Sequence, residues 1–142
     1  MVNEYPSTRA EVIELMRCKG VNPTQQRIDI AQTLFAKPQH LSADQVMSLV
    51  NQQRAAVSKA TVYNTLGLFA RKGLVREVIV DPSKVFYDPT MTPHHHFYNV
   101  DTGELMDVES GHFELSELPP LPQGTEAEGV EVVIRIRNSA NH

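Results

Sequence analysis

The chain has no tryptophan, a single cysteine and only 6% aromatic residues. One cysteine, Cys18, excludes an internal disulfide framework and any cysteine-rich zinc module. No apolar run approaches the roughly 20 residues of a membrane span, and residues 1–10 lack the apolar stretch of a signal peptide. The expectation is a cytoplasmic chain with no membrane partner. Positive charge is also in deficit: 13 Lys and Arg face 17 Asp and Glu, for a formal net charge of −4. As a total, that balance argues against a nucleic-acid partner. What remains is 142 residues without repeats or low-complexity tracts, 41% of them hydrophobic. That suits one ordinary domain or two small ones, with a core that needs no cross-links.

The distribution of charge reverses the first inference. Residues 1–87 hold eleven Lys and Arg against seven acids, a net of +4. Residues 88–142 hold only Arg135 and Arg137 against ten acids, a net of −8. Such a split predicts two modules with different partners, one of them able to meet phosphate.

The basic half reads as four short helices and a hairpin. Thr8 to Glu11 is a capping box, Val12, Leu15 and Met16 share a face, and Gly20 stops the helix. A second helix opens around Asn22-Pro23-Thr24, turns Ile28, Ala31, Leu34 and Phe35 inward, and ends before Pro38. Ser42 with Gln45 caps a third, which buries Val46, Leu49 and Val50. Ser58 opens a fourth, with Val62, Leu66 and Phe69 inward and Gly73 as its stop. Leu74 to Val80 and Lys84 to Tyr87 then read as two strands around Asp81-Pro82-Ser83. Residues 1–87 are therefore expected to form a winged helix-turn-helix domain, residues 88–93 a Pro-bounded linker, and residues 94–142 a small α/β module. In that last module His94 to Val100 and Glu104 to Val108 predict a hairpin. Val130 to Arg137 alternates as a strand suited to the sheet centre or to a dimer contact. The fold class is α+β.

The fourth helix has two faces. Val62, Leu66 and Phe69 form its buried stripe, while Ser58, Lys59, Thr61, Tyr63 and Asn64 project from its first turns. A recognition helix needs this division: one face held by the preceding helices, the other free to enter a major groove. Lys59 suits phosphate or guanine, Asn64 an adenine edge, and Tyr63 or Thr61 a thymine methyl. Thr24, Gln26 and Arg27 at the second helix offer backbone phosphate contacts, and the wing would bring Arg76 and Lys84 to phosphates. A merely solvated polar face is the competing reading.

The histidines carry a second chemistry. On a strand, residues i and i+2 share a face, so His94 and His96 point together and His95 points away. Asp88 precedes them and Asp107 lies on the partner strand, while His40 follows the second helix. His40, Asp88, His94, His96 and Asp107 together would offer nitrogen and oxygen ligands to one divalent ion. One such ion would clamp the two modules and set the half-site spacing a dimer spans. Exposed loop histidines are the alternative. Because metal ligation needs neutral imidazoles, metal-dependent binding is expected to fall as pH drops through about 6.5. Cys18, among apolar helical neighbours, is expected to be a core or half-buried thiol.

Thr24-Gln25-Gln26-Arg27, Ser58 to Leu66, Gly73-Leu74-Val75 and His94-His95-His96 resemble the ferric uptake regulator superfamily, from about Glu11 to Arg137. The resemblance implies a homodimeric, metal-dependent repressor with an N-terminal winged helix and a C-terminal α/β dimerisation domain. It implies the same sensory set, His40, Asp88, His94, His96 and Asp107. A second metal or haem site would draw on His95 and Glu114, with His112 as a substitute ligand. Many members hold a structural zinc with two CxxC pairs. Here the first pair is replaced by Asn99 and Thr102 and no cysteine follows, so no four-cysteine structural zinc forms and the sheet must rely on packing. That absence, the His94 to Tyr98 run, His112, and the tail of Leu118 to Pro122 and Val133 to Arg137 resemble the iron response regulator branch. Members of that branch respond to haem as well as iron. Some of them carry an N-terminal Cys-Pro haem motif, which is missing here because Lys19 follows Cys18.

The function expected is a metal- or haem-responsive repressor of iron or haem homeostasis, binding an AT-rich inverted repeat of double-stranded DNA as a homodimer. The effector would be Fe(II), Mn(II), Zn(II) or haem. The alternatives are a manganese-, zinc- or peroxide-responsive regulator of the same family, a DNA-free metal carrier, and a metallohydrolase using His94, His96 and Asp107.

Overall fold

The computed structural model describes residues 6–90, 95–109 and 117–140. The chain divides into two units, Met1–Met91 and Thr92–His142. Among the described residues no helix is long and apolar enough to cross a membrane.

In the first unit, Thr8 caps α1 (Arg9–Cys18) in a complete capping box with Glu11. α2 (Gln25–Leu34) starts on the Thr24 hydroxyl, which accepts from the Arg27 N–H. β1 (Leu41–Ser42) leads directly into α3 (Ala43–Gln53), whose Ser42–Gln45 capping box is also complete. Ser58 caps α4 (Lys59–Arg71). β2 (Arg76–Asp81) and β3 (Lys84–Asp88) complete a three-stranded sheet of order β1-β3-β2. Helices at 3.6-residue spacing turn Val12, Met16, Ile28, Leu34, Val46, Val50, Val62, Leu66 and Phe69 into one buried cluster. Each fully buried side chain of this size contributes about 1.5–3 kcal/mol. The helix order and the hairpin form a winged helix, held by apolar packing.

Two expectations change here, and one element is new. β1 has no counterpart in the sequence pattern, because two residues carry no periodicity; Leu41 pairs with Tyr87 and Ser42 with Phe86. Asp88 closes β3 opposite Arg76 instead of opening the linker. Cys18 is exposed, not buried. It lies two residues beyond buried Met16, about 200° around the helix, and its Sγ donates to the Glu14 carboxylate at 3.6 Å.

The second unit is a three-stranded sheet of β4 (His96–Asn99), β5 (Leu105–Asp107) and β6 (Val133–Ile136), in the order β5-β4-β6. β4 and β5 form the expected antiparallel hairpin, turning at Gly103 with a φ of +75°. β6 runs parallel to β4 and occupies an edge, not the centre. Packing is not its sole support. Asn99 Oδ1 accepts from the Asp101 and Thr102 N–H groups, and Asn99 Nδ2 donates to Asn138 Oδ1 at 2.9 Å. The Asn138 N–H donates in turn to Asp101 Oδ2. A polar clasp thus ties the hairpin turn to the residue two beyond β6.

Candidate metal and nucleic-acid sites

Among the described residues, each unit carries one histidine–carboxylate pair set by strand pairing. In the first, the Leu41–Tyr87 register places His40, one residue before β1, opposite Asp88 at the end of β3. His40 Nδ1 lies 3.2 Å from Asp88 Oδ2, and both side chains are nearly dry. The other Asp88 oxygen accepts from the Thr90 N–H at 2.8 Å, which fixes the carboxylate plane. In the second unit His96 and Asp107 are direct partners in the β4–β5 ladder. His96 Nε2 lies 3.4 Å from Asp107 Oδ1, with the imidazole buried and the carboxylate half open to solvent.

These separations suit a shared ion. Ligand atoms about 2.0–2.1 Å from a metal stand roughly 3.0 Å apart at a right angle and about 3.4 Å apart at a tetrahedral angle. Both pairs fall in that range, and imidazole with carboxylate is a donor set for Zn(II), Mn(II) or Fe(II). His94, His112 and Glu114 lie outside the described residues.

His95 is placed differently from the expectation of a second site. Its Nδ1 accepts the Val132 N–H at 2.9 Å. A neutral imidazole has one lone pair and one N–H, so Nε2 then carries the proton and has no lone pair for a metal. His95 extends the β4–β6 ladder; its bond to Val132 does not fit ligation.

The candidate DNA surface lies on the first unit. Tyr63 is 45% exposed, Asn64 is exposed, and Lys59 Nζ sits 5.7 Å from the centre of the Tyr63 ring. Ser58 and Thr61 are joined by a hydroxyl–hydroxyl bond of 2.9 Å and act first as the helix cap. At α2, Thr24 is likewise a cap, Gln26 is exposed, and one Arg27 nitrogen donates to the Asn22 carbonyl. Lys84 stands exposed at the wing turn, but Arg76 is half-buried at the opposite end of the hairpin. Burial, with smaller contributions from the Glu77 and Tyr63 charges, pushes the Tyr87 hydroxyl pKa up, which keeps this wing residue neutral.

One feature has almost no signal in the sequence. Asp29, a charged residue on α2, is 4% exposed. It accepts from Gln25 Nε2 at 2.8 Å and lies 3.9 Å from an Arg54 nitrogen. Its only sequence signal is a charge between Ile28 and Ile30, both of which are buried.

The family model of the ferric uptake regulator family matches residues 18–130. The chain is 29% identical over 113 residues to the peroxide-responsive repressor PerR of Staphylococcus aureus, across 80% of this chain and 75% of that protein. Among solved structures, the ferric uptake regulator of Pseudomonas aeruginosa with manganese is 25% identical with a TM-score of 0.65, covering 88% and 96% of the two chains. The ferric uptake regulator of Francisella tularensis with iron has a TM-score of 0.67 at 22% identity, covering 84% and 92%, a likeness of fold alone.

Proposed function

Because the chain belongs to the ferric uptake regulator family, a family of metal-responsive transcription regulators and not of enzymes, we propose that it is a repressor gated by one divalent metal ion. Family membership removes the metallohydrolase alternative. The observation that carries the proposal is the pair of His–carboxylate couples, His40 with Asp88 and His96 with Asp107. Each is at ligand spacing and each is contributed by a different unit. In this reading the two couples and His94 supply the ligands of the sensed ion. Their ligation gates DNA binding by the dimer.

DNA binding as a homodimer to an inverted repeat belongs to the same proposal. It is supported by the +4 balance of residues 1–87 and by the exposed Lys59, Tyr63 and Asn64. Among the described residues β6 is an edge strand, a position that suits pairing with a second copy.

Iron is the physiological ion in this proposal. The missing thiolate pairs and the tail pattern favour the iron response regulator branch. That branch adds haem as an effector, but His96 is 1% exposed, a setting that admits an ion more readily than a macrocycle. The test is a titration of the purified chain with Fe(II), Mn(II), Zn(II) and haem, following gel shift on an AT-rich inverted repeat. A divalent ion should change DNA affinity at least tenfold. Affinity indifferent to every effector, and to chelator, would refute metal gating; no DNA binding at all would favour a carrier.

A further inference from the structure

Four side chains from three stretches of the first unit form a polar relay. Arg9 at the start of α1 donates to Gln25 Oε1 at 3.0 Å, and Gln25 Nε2 donates to Asp29 Oδ1 at 2.8 Å. Asp29 Oδ1 lies 3.9 Å from Arg54 Nη1. The Asp29 carboxylate is 6% exposed, while the Arg54 side chain is 33% exposed. A carboxylate this dry needs a cation and hydrogen bonds, or its desolvation costs several kcal/mol. Arg54 and Gln25 supply them.

Arg54 is the C-cap of α3 and begins the turn that leads to Ser58. The turn's other fastening is Asn51 Oδ1, which accepts the Val57 N–H at 2.9 Å. Asp29 therefore holds Arg54 within one helical turn of Gln25, the first residue of α2. Two guanidinium groups, Arg9 and Arg54, bracket that end of α2. Each has five N–H donors; Arg9 commits one of them to Gln25, while Arg54 meets Asp29 as an ion pair at 3.9 Å. Two cations beside one buried anion leave a local net positive charge, and both arginines are exposed residues.

We propose that Arg54 and Arg9 are DNA-phosphate contacts and that Asp29 is the positioning residue that aims Arg54. This rests on the DNA-binding reading above. It adds contacts that the polar face of α4 does not reveal, and it explains why an acid is buried in the basic half.

The probe is a fluorescein-labelled duplex of about 30 base pairs and mixed sequence, because phosphate contacts are independent of sequence. Binding to the full chain with Mn(II) present is followed by anisotropy across a salt series. Losing one phosphate contact should make the slope of log K against log salt shallower by about 0.9. That change is expected for Arg54→Ala and for Arg9→Ala, whereas Arg54→Lys should keep the wild-type slope. Asp29→Asn should weaken binding a few-fold in the wild-type background and have no further effect in Arg54→Ala. An unchanged slope in Arg54→Ala overturns the phosphate role. Equal loss from Asp29→Asn in both backgrounds overturns the positioning role, because the effect then runs through the fold. If Asp29→Asn does not fold, Arg54→Lys decides: failure to restore the slope lost in Arg54→Ala overturns the inference. A wild-type chain without salt-dependent binding would instead remove the DNA reading itself.

Discussion

His96 and Asp107 face each other across the β4–β5 ladder, with the imidazole Nε2 3.4 Å from the carboxylate oxygen. Their burial is opposite: the His96 side chain is 1% exposed and the Asp107 side chain 55%. Strand register, and not a loop, sets this spacing, so little ordering remains to be done when a cation is held there. Under the proposed function, the exposed carboxylate would offer the approach to an ion and the dry imidazole would supply a ligand shielded from water.

Asp107→Asn tests that division. The amide keeps the shape but loses the charge that attracts a cation. Mn(II) affinity should fall by about 100-fold or more in calorimetry, because loss of a direct ligand exceeds the 10–100-fold typical of outer-shell changes. The apo melting temperature should hold, since the site is half open to water. Wild-type Mn(II) affinity in this variant would exclude Asp107 as a ligand.

One shared ion and two separate ions make different predictions for His40 and His96. Ligands of one ion act as a unit, so their effects are not additive. His40→Ala and His96→Ala should each abolish the metal response of DNA binding, and the double variant should be no worse than either. Metal content should read one ion per chain in wild type. Additive losses, with one ion retained in each single variant, would show two independent sites.

His95 should separate from its neighbour His96. Its accepted bond from Val132 supports the start of the β6 strand. His95→Ala leaves that N–H without its acceptor, a loss of about 1–3 kcal/mol in chemical denaturation. Metal stoichiometry should not change. A drop in bound metal with unaltered stability would reverse the assignment.

The helices were legible because each announces its start, and all but α3 announce their end as well. Thr8, Thr24, Ser42 and Ser58 are all observed caps, and Gly20 and Gly73 adopt the positive φ that ends α1 and α4. What stayed hidden was long-range. β1 is too short for a period, yet its pairing with β3 is what brings His40 beside Asp88. The burial of Asp29 depends on Arg54, twenty-five positions away. The Asn99–Asn138 clasp joins residues 39 apart, and nothing local marks either residue as a fastening. Spacing nominated the ligands of both couples but did not show that each is a pair held by a ladder.

The α1 capping box makes a pH dependence separable from that of the histidines. The hydrogen bond to the Thr8 side chain, followed by the Thr8 backbone N–H, holds the Glu11 carboxyl below the usual carboxylate range. A group whose pKa is lowered by folding adds stability above its unfolded pKa and loses it as pH falls through its folded pKa. The window is therefore the ordinary carboxylate range and below, well clear of imidazole titration. Asp81 is also lowered, first by the Ser83 side chain and then by its backbone, so acid destabilisation of wild type has more than one source. Glu11→Gln isolates one of them. Glutamine still accepts the Thr8 N–H but lacks the charge favoured at a helix N-terminus. Wild type should melt above Glu11→Gln at pH 7, and the gap should close as pH falls through the lowered Glu11 pKa. Thermal melts of both proteins across and below the carboxylate range measure it, and a gap that shows no narrowing with acid would assign the difference to packing instead of charge.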